Sequence, residues 1–172
     1  MIPMKKSVLR WNLASLAMYD SSMNKIVDHT NASALPRQEA GAVMFTLLHA
    51  AHLLESRMED ALAAVGLSMA KYGALELLIE AQEPLPLSEL ATRAKCVRSN
   101  MTQLVDRLEA EGLVQRIADP ADRRVTRTQL TPVGRERYAA GAKQMEQVQA
   151  DFMADVPEPE REALARALSG LT

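Results

Sequence analysis

"VQRIADPADRRVTRTQLTPVG", residues 114–134, decides how this chain folds. Two runs, "LVQRIA" and "VTRTQL", alternate apolar and polar residues with the period of half-buried strands. Between them "DPADRR" supplies the proline and aspartates that favour a tight turn, so the segment reads as a β-hairpin. A hairpin does not need paired arginines at its tip, yet Arg123 and Arg124 stand there. Thr131 then reads as a helix N-cap with Pro132 at the first helical position, opening a helix to about Ala154.

Upstream of the hairpin, "SNMTQLVDRLEAEG" reads as a helix opened by Ser99, with Met101, Leu104, Val105 and Leu108 as its buried stripe and Gly112 as a left-handed stop. Before it, Ser88 caps a short helix, "SELATRA", and only "KCVR" separates the two. Two helices joined by so short a turn form a helix-turn-helix. With the hairpin directly after, the pattern is a winged helix, whose second helix can enter a major groove while the hairpin tip reaches the neighbouring minor groove. Arginine suits that tip because a narrow minor groove concentrates negative potential.

Further out, Val43, Leu47, Ala51, Leu54, Met58, Leu62 and Val65 recur at gaps of three and four, predicting a long amphipathic helix that stops at Gly66. Ser68 caps a helix through about Glu80, with Tyr72, Leu75 and Ile79 inward, and the prolines of "QEPLPL" favour an extended connection. After "VPEPE" a final helix, "REALARALSGL", is expected. Residues 1–40 show weak periodicity: a short helix near residues 5–19, then a linker ending at Pro36. The predicted fold is mostly α with a small β-hairpin wing. Residues 1–40 are an N-terminal extension and 41–172 the main domain, with the winged helix at 68–131 and long helices at 41–65 and 132–172.

The 172 residues suffice for one domain with a real core, and 3% aromatic content with few Gly and Pro agrees with a helical protein. The single cysteine, Cys96, cannot close an internal disulfide, which fits a cytoplasmic location. No apolar run approaches the ~18 residues of a membrane span. Arg10 and Asn12 interrupt the apolar patch after Lys5 and Lys6, which argues against a signal peptide. The net charge of −2 is uninformative, but its distribution is not. Residues 1–92 carry 7 Lys+Arg against 10 Asp+Glu, 93–137 carry 10 against 6, and 138–172 carry 3 against 6, so the balance runs −3, +4, −3. The positive segment contains the hairpin, and a local basic face matters more for phosphate binding than the global sum.

"LATRAKCVRSNMTQLVDRLEAEGLVQRIADPADRRVTRTQLTPVG" resembles the DNA-binding core of the multiple-antibiotic-resistance regulator (MarR) family of bacterial transcription factors, most closely at "LVDRLEAEGLV", "DPADRR" and "LTPVG". By helix order the resemblance extends over about residues 40–170. It implies a repressor that binds a pseudo-palindromic double-stranded operator as a homodimer and is released by a small, often aromatic or phenolic, effector. Asp122 and Arg124 match the family's wing pair, a brace and a minor-groove arginine, with Arg123 as a second wing cation. Arg98, Ser99, Asn100, Thr102 and Gln103 fall near the amino end of the recognition helix, where side chains meet bases and phosphates. Family members often carry a basic residue where Gln103 stands, and a glutamine favours adenine over guanine. Asp106 is expected to brace an arginine of the wing or helix, and Arg107 to approach the DNA backbone.

The resemblance places the effector in a cleft whose candidate lining is Met44, Leu48, His52, Met69 and Tyr72. The helices after Pro132 carry apolar stripes (Met145, Val148, Phe152, then Leu164, Leu168, Leu171) suited to pairing two chains. No metal or cofactor is expected: His49, His52, Glu55 and Glu59 have spacing that zinc could use, but a solvated helix face has it as often. Cys96, between Lys95 and Arg98 and just before a helix, is a candidate redox residue, because positive charge and a helix dipole lower a thiol pKa. It supports a rival reading, a thiol-sensing regulator. A second rival, a winged-helix protein-interaction module without DNA binding, predicts loss of the wing arginines, and they are present. No catalytic constellation argues for an enzyme.

Overall fold

The computed structural model describes residues 37–120, 122 and 124–171. The expected helix near residues 5–19, the linker to Pro36 and the side chain of Arg123 lie outside them. The elements are α1 (Arg37–Ala63), α2 (Met69–Ala81), β1 (Leu85–Pro86), α3 (Leu87–Arg93), α4 (Arg98–Ala110), β2 (Val114–Ala118), β3 (Thr126–Leu130), α5 (Pro132–Asp155) and α6 (Glu158–Ser169). They group into two compact units, residues 67–139 and the described residues 37–66 with 140–171.

In the first unit α3 and α4 form the helix-turn-helix, and the hairpin follows. β2 and β3 pair antiparallel from Val114↔Leu130 to Ala118↔Thr126, close to the bounds the alternation predicts. The sheet has a third strand. Leu85 and Pro86 pair with Thr128 and Arg127, giving the order β1-β3-β2. The proline-rich connection is therefore extended, as expected, but it is also hydrogen-bonded. Pro86 lacks an N–H and so belongs on a sheet edge. The core comprises Leu75, Leu85, Leu90, Met101, Val105, Leu108, Leu113 and Val114, each no more than 2% exposed. Burial of each such side chain stabilises the fold by about 1.5–3 kcal/mol.

Helix ends set the geometry of the turns. Ser68 caps α2, its hydroxyl accepting from the Lys71 N–H at 3.3 Å, and Gly66 sits at φ 74° as the preceding stop. Ser88 and Ser99, expected as caps, are not caps. The capping positions lie two residues earlier, at Pro86 and Val97, so α3 and α4 start at Leu87 and Arg98, and neither start has a side-chain cap. The residue with extended backbone is the one that enters a helix, and a serine already inside the first turn has helical torsions and cannot cap it. Gly112 ends α4 at φ 70°: Leu113 N–H bonds the Leu108 carbonyl and Gly112 N–H the Glu109 carbonyl, both at 2.9 Å. The end of α3 has the same pattern with Lys95 at φ 52° in the left-handed position.

A compact joint links the end of α4 to the start of α5. Thr131 Oγ1 lies 2.7 Å from the Gly112 carbonyl and accepts the Gly134 N–H at 2.9 Å, capping α5 as expected. Gly134 is buried, and a Cβ there would stand 1.9 Å from the Leu113 carbonyl oxygen, so only glycine fits.

The second unit holds α1, α6 and the part of α5 beyond Ala139. Met58, Leu62 and Met145 are buried, and Arg57 reaches Asp155 at 3.2 Å. The predicted α1 stripe is buried only at its carboxyl end. Val43 and Leu47 are exposed, with Met44, Phe45 and Leu48 beside them. No residue of α6 is buried. Among the described residues no helix is long and apolar enough to cross a membrane.

Candidate nucleic-acid interface

The buried stripe of α4, Met101, Val105 and Leu108, recurs at gaps of four and three and fixes which side of the helix faces out. Arg98, Ser99, Asn100, Gln103, Asp106 and Arg107 are exposed. The side chains of Arg98, Ser99, Asn100, Gln103 and Arg107 have no hydrogen-bond or ion-pair partner among the described residues, so their donors are available to a ligand. Thr102 differs: it is half-buried and its hydroxyl donates to the Arg98 carbonyl at 2.9 Å.

The wing is built on a buried carboxylate. Asp119, at the end of β2, accepts Arg127 Nε at 2.5 Å, its side chain only 7% exposed. Arg127 also donates to the Pro84 carbonyl at 3.1 Å, tying the wing to the stretch before β1. Asp119 Oδ1 then accepts the Asp122 N–H at 3.3 Å, and Asp122 Oδ1 accepts the Arg124 N–H at 3.0 Å. Two successive carboxylates thus fix the backbone that carries Arg124. The Arg124 side chain is 95% exposed, its Nε 4.0 Å from Asp122. At that distance and exposure the pair holds the guanidinium weakly, leaving it free to turn to an anion.

The wing is also joined to the recognition helix. Arg116 on β2 donates to Asp106 at 2.6 Å and, through both its guanidinium and its backbone N–H, to Glu109. The hydrogen bond that Arg116 donates to Asp106 is the main cause that raises its pKa, and Glu109 adds to it against partial burial. α4 and the wing are therefore held on a shared frame.

Residues 67–126 match the model of the MarR family. The chain carries a MarR-family domain. Over 107 residues it is 32% identical to HTH-type transcriptional regulator YdgJ of Bacillus subtilis, an alignment covering 62% of this chain and 65% of that one. AbsC, a MarR family transcriptional regulator from Streptomyces coelicolor, superposes with a TM-score of 0.66 at 27% identity, over 81% of this chain and 95% of that one. CouR from Rhodococcus jostii RHA1, solved bound to p-coumaroyl-CoA, shares the fold at a TM-score of 0.61 and 24% identity, over 81% and 95%. YdgJ and AbsC are both described as transcriptional regulators.

Within the MarR-family domain, Cys96 corrects an expectation. Partial burial pushes its thiol pKa up, opposite to the lowering expected from Lys95 and Arg98, and the backbone hydrogen bond offsets this only in part. A thiol so shifted carries less thiolate, the reactive form. Of the effector candidates, Met69 is half-buried and Tyr72 is 6% exposed, its ring stacked on Tyr138 with centroids 5.3 Å apart. Met44, Leu48 and His52 are exposed on α1 in the other unit. Among the described residues no group of three or more His, Cys, Asp or Glu side chains could hold a metal ion.

Three features escaped sequence reasoning. The Asp119–Arg127 pair looks like any turn charge until burial is known. Gly134 is demanded by a carbonyl that is distant in sequence. Glu76, one turn beyond Tyr72 on α2, is raised to about pH 7, first by burial and then by Glu80, against a hydrogen bond with Tyr138.

Proposed function

We propose that this protein is a sequence-specific regulator of transcription that binds double-stranded DNA as a homodimer. The observation that carries this reading is that Arg98, Ser99, Asn100 and Gln103 on α4 are exposed without side-chain partners, while Arg124 has a fixed backbone and a guanidinium held only weakly by Asp122. Arg98, Ser99, Asn100 and Gln103 meet base edges and phosphates in the major groove, with Thr102 contributing its remaining lone pairs, and Arg107 lies against the backbone. Arg124 enters the minor groove with Asp122 and Asp119 behind it, and Arg123 adds a phosphate contact. Asp106 steadies the assembly through Arg116.

The homodimer follows from exposed apolar surface. The amino half of α1 leaves Phe45 and Leu48 in water and α6 leaves Leu168, with Leu171 exposed just beyond its end, and large apolar side chains left uncovered in this way mark an interaction surface. Two such chains covering one another present two recognition helices, and the operator is then an imperfect palindrome with half-sites about one helical turn apart. The proposed output is repression relieved by a small aromatic or phenolic effector. Met44, Leu48, His52, Met69 and Tyr72 are each a candidate contact. That CouR was solved with an aromatic acyl thioester supports an effector-responsive use of this fold. Anisotropy titrations of labelled duplexes across a salt series test the reading. Specific binding whose salt slope falls by about one when Arg98 is replaced by Ala agrees with it, and no saturable binding contradicts it.

A further inference from the structure

Val97 is 61% exposed at the N-cap of α4, a position where Ser, Thr, Asp or Asn would satisfy a helix N–H and valine satisfies none. Neither packing nor capping explains it. It is followed by Arg98, Ser99 and Asn100, all exposed, and preceded on the turn by the exposed Lys95. One apolar side chain among polar and cationic neighbours is too small and too hemmed in to seat a protein partner. It does suit a single methyl group on a polar, anionic surface. In the major groove only thymine offers one, its 5-methyl, and the ends of recognition helices lie where that methyl is displayed. A β-branched valine has its methyls held at a nearly fixed χ1, so little rotamer freedom is lost on contact.

We propose that Val97 is a specificity-determining residue that recognises thymine through its 5-methyl group, an inference that rests on the DNA reading above. Thr102, one turn into the helix, spends its hydroxyl proton on the Arg98 carbonyl, so Val97 and the free amide of Gln103 divide the recognition between an apolar and a hydrogen-bonding contact.

The test uses the full chain. Duplexes enriched by the protein from a randomised pool supply an operator, and each thymine is then replaced in turn by deoxyuridine, which lacks only the methyl. At one position in each half-site the replacement should weaken binding about fourfold, the worth of one buried methyl-sized group. Val97→Ala should bind the parent operator more weakly and no longer distinguish thymine from deoxyuridine at that position, while Val97→Ile keeps the distinction. Tolerance of deoxyuridine at every position overturns the proposal, as does full discrimination by Val97→Ala. Failure to enrich any duplex overturns the DNA reading itself, and the role of Val97 falls with it.

Discussion

Arg124 owes its position to residues that never need to touch a ligand. Asp119 holds the Asp122 N–H and Asp122 holds the Arg124 N–H, so the side chain is presented from a fixed backbone. Arg124→Ala should weaken operator binding by about 1–3 kcal/mol with no loss of thermal stability, since the guanidinium is almost wholly in solvent. Anisotropy and a melting curve on the same samples check both halves. Gly134 is the opposite kind of residue: Gly134→Ala drives a methyl into the Leu113 carbonyl and should cost about 3 kcal/mol, read as a lower urea midpoint. Residue types at the wing were legible because turn chemistry and charge are local in the chain. The burial of Asp119 and the crowding at Gly134 were not, because both depend on chain segments brought in from elsewhere. Cys96 shows the same limit, since neighbouring charge is visible in sequence and burial is not.

At the scale of elements, periodicity located all the helices from α1 to α6 within the described residues, together with both hairpin strands. It missed β1, whose pairing partner on β3 lies some forty residues away and leaves no local mark. It also set two helix starts too late, because serine was weighed above the extended residue before it. The contact of α2 with the first turns of α5 carries a pH dependence. Glu76 ionises near 7 in the folded chain against an ordinary value of 4.5, chiefly because burial disfavours its charge. The folded state therefore binds the extra proton between these values. Stability should fall as pH rises from about 4.5 to about 7 and then level off, the reverse of an acid whose pKa is lowered. Glu76→Gln should remove that fall, leaving the variant more stable at pH 8 by ~1–2 kcal/mol, a figure reduced for the partial solvent exposure of the group. Denaturation midpoints of the two proteins at pH 4.5 and pH 8 check the sign.

At the scale of the whole molecule, the exposed half of α1 and the unburied α6 carry the case for a dimer. Sedimentation should report a species of two chains at micromolar concentration, and replacing Phe45 and Leu48 with Asp should shift it to one chain without unfolding residues 67–139. A wild-type monomer that persists at high concentration would undo the proposed operator symmetry. Pairing was suggested by the stripes of α5 and α6 in the sequence, but the amount of apolar surface left uncovered on α1 emerged only from the folded chain.

In the proposed function, α4 and the wing read duplex DNA in two symmetric copies. Selection of bound duplexes from a fully randomised pool, followed by sequencing, tests it most directly. Enrichment of an inverted repeat whose half-site centres lie about 10 base pairs apart is expected. Recovery of sequences no different from the starting pool would contradict it.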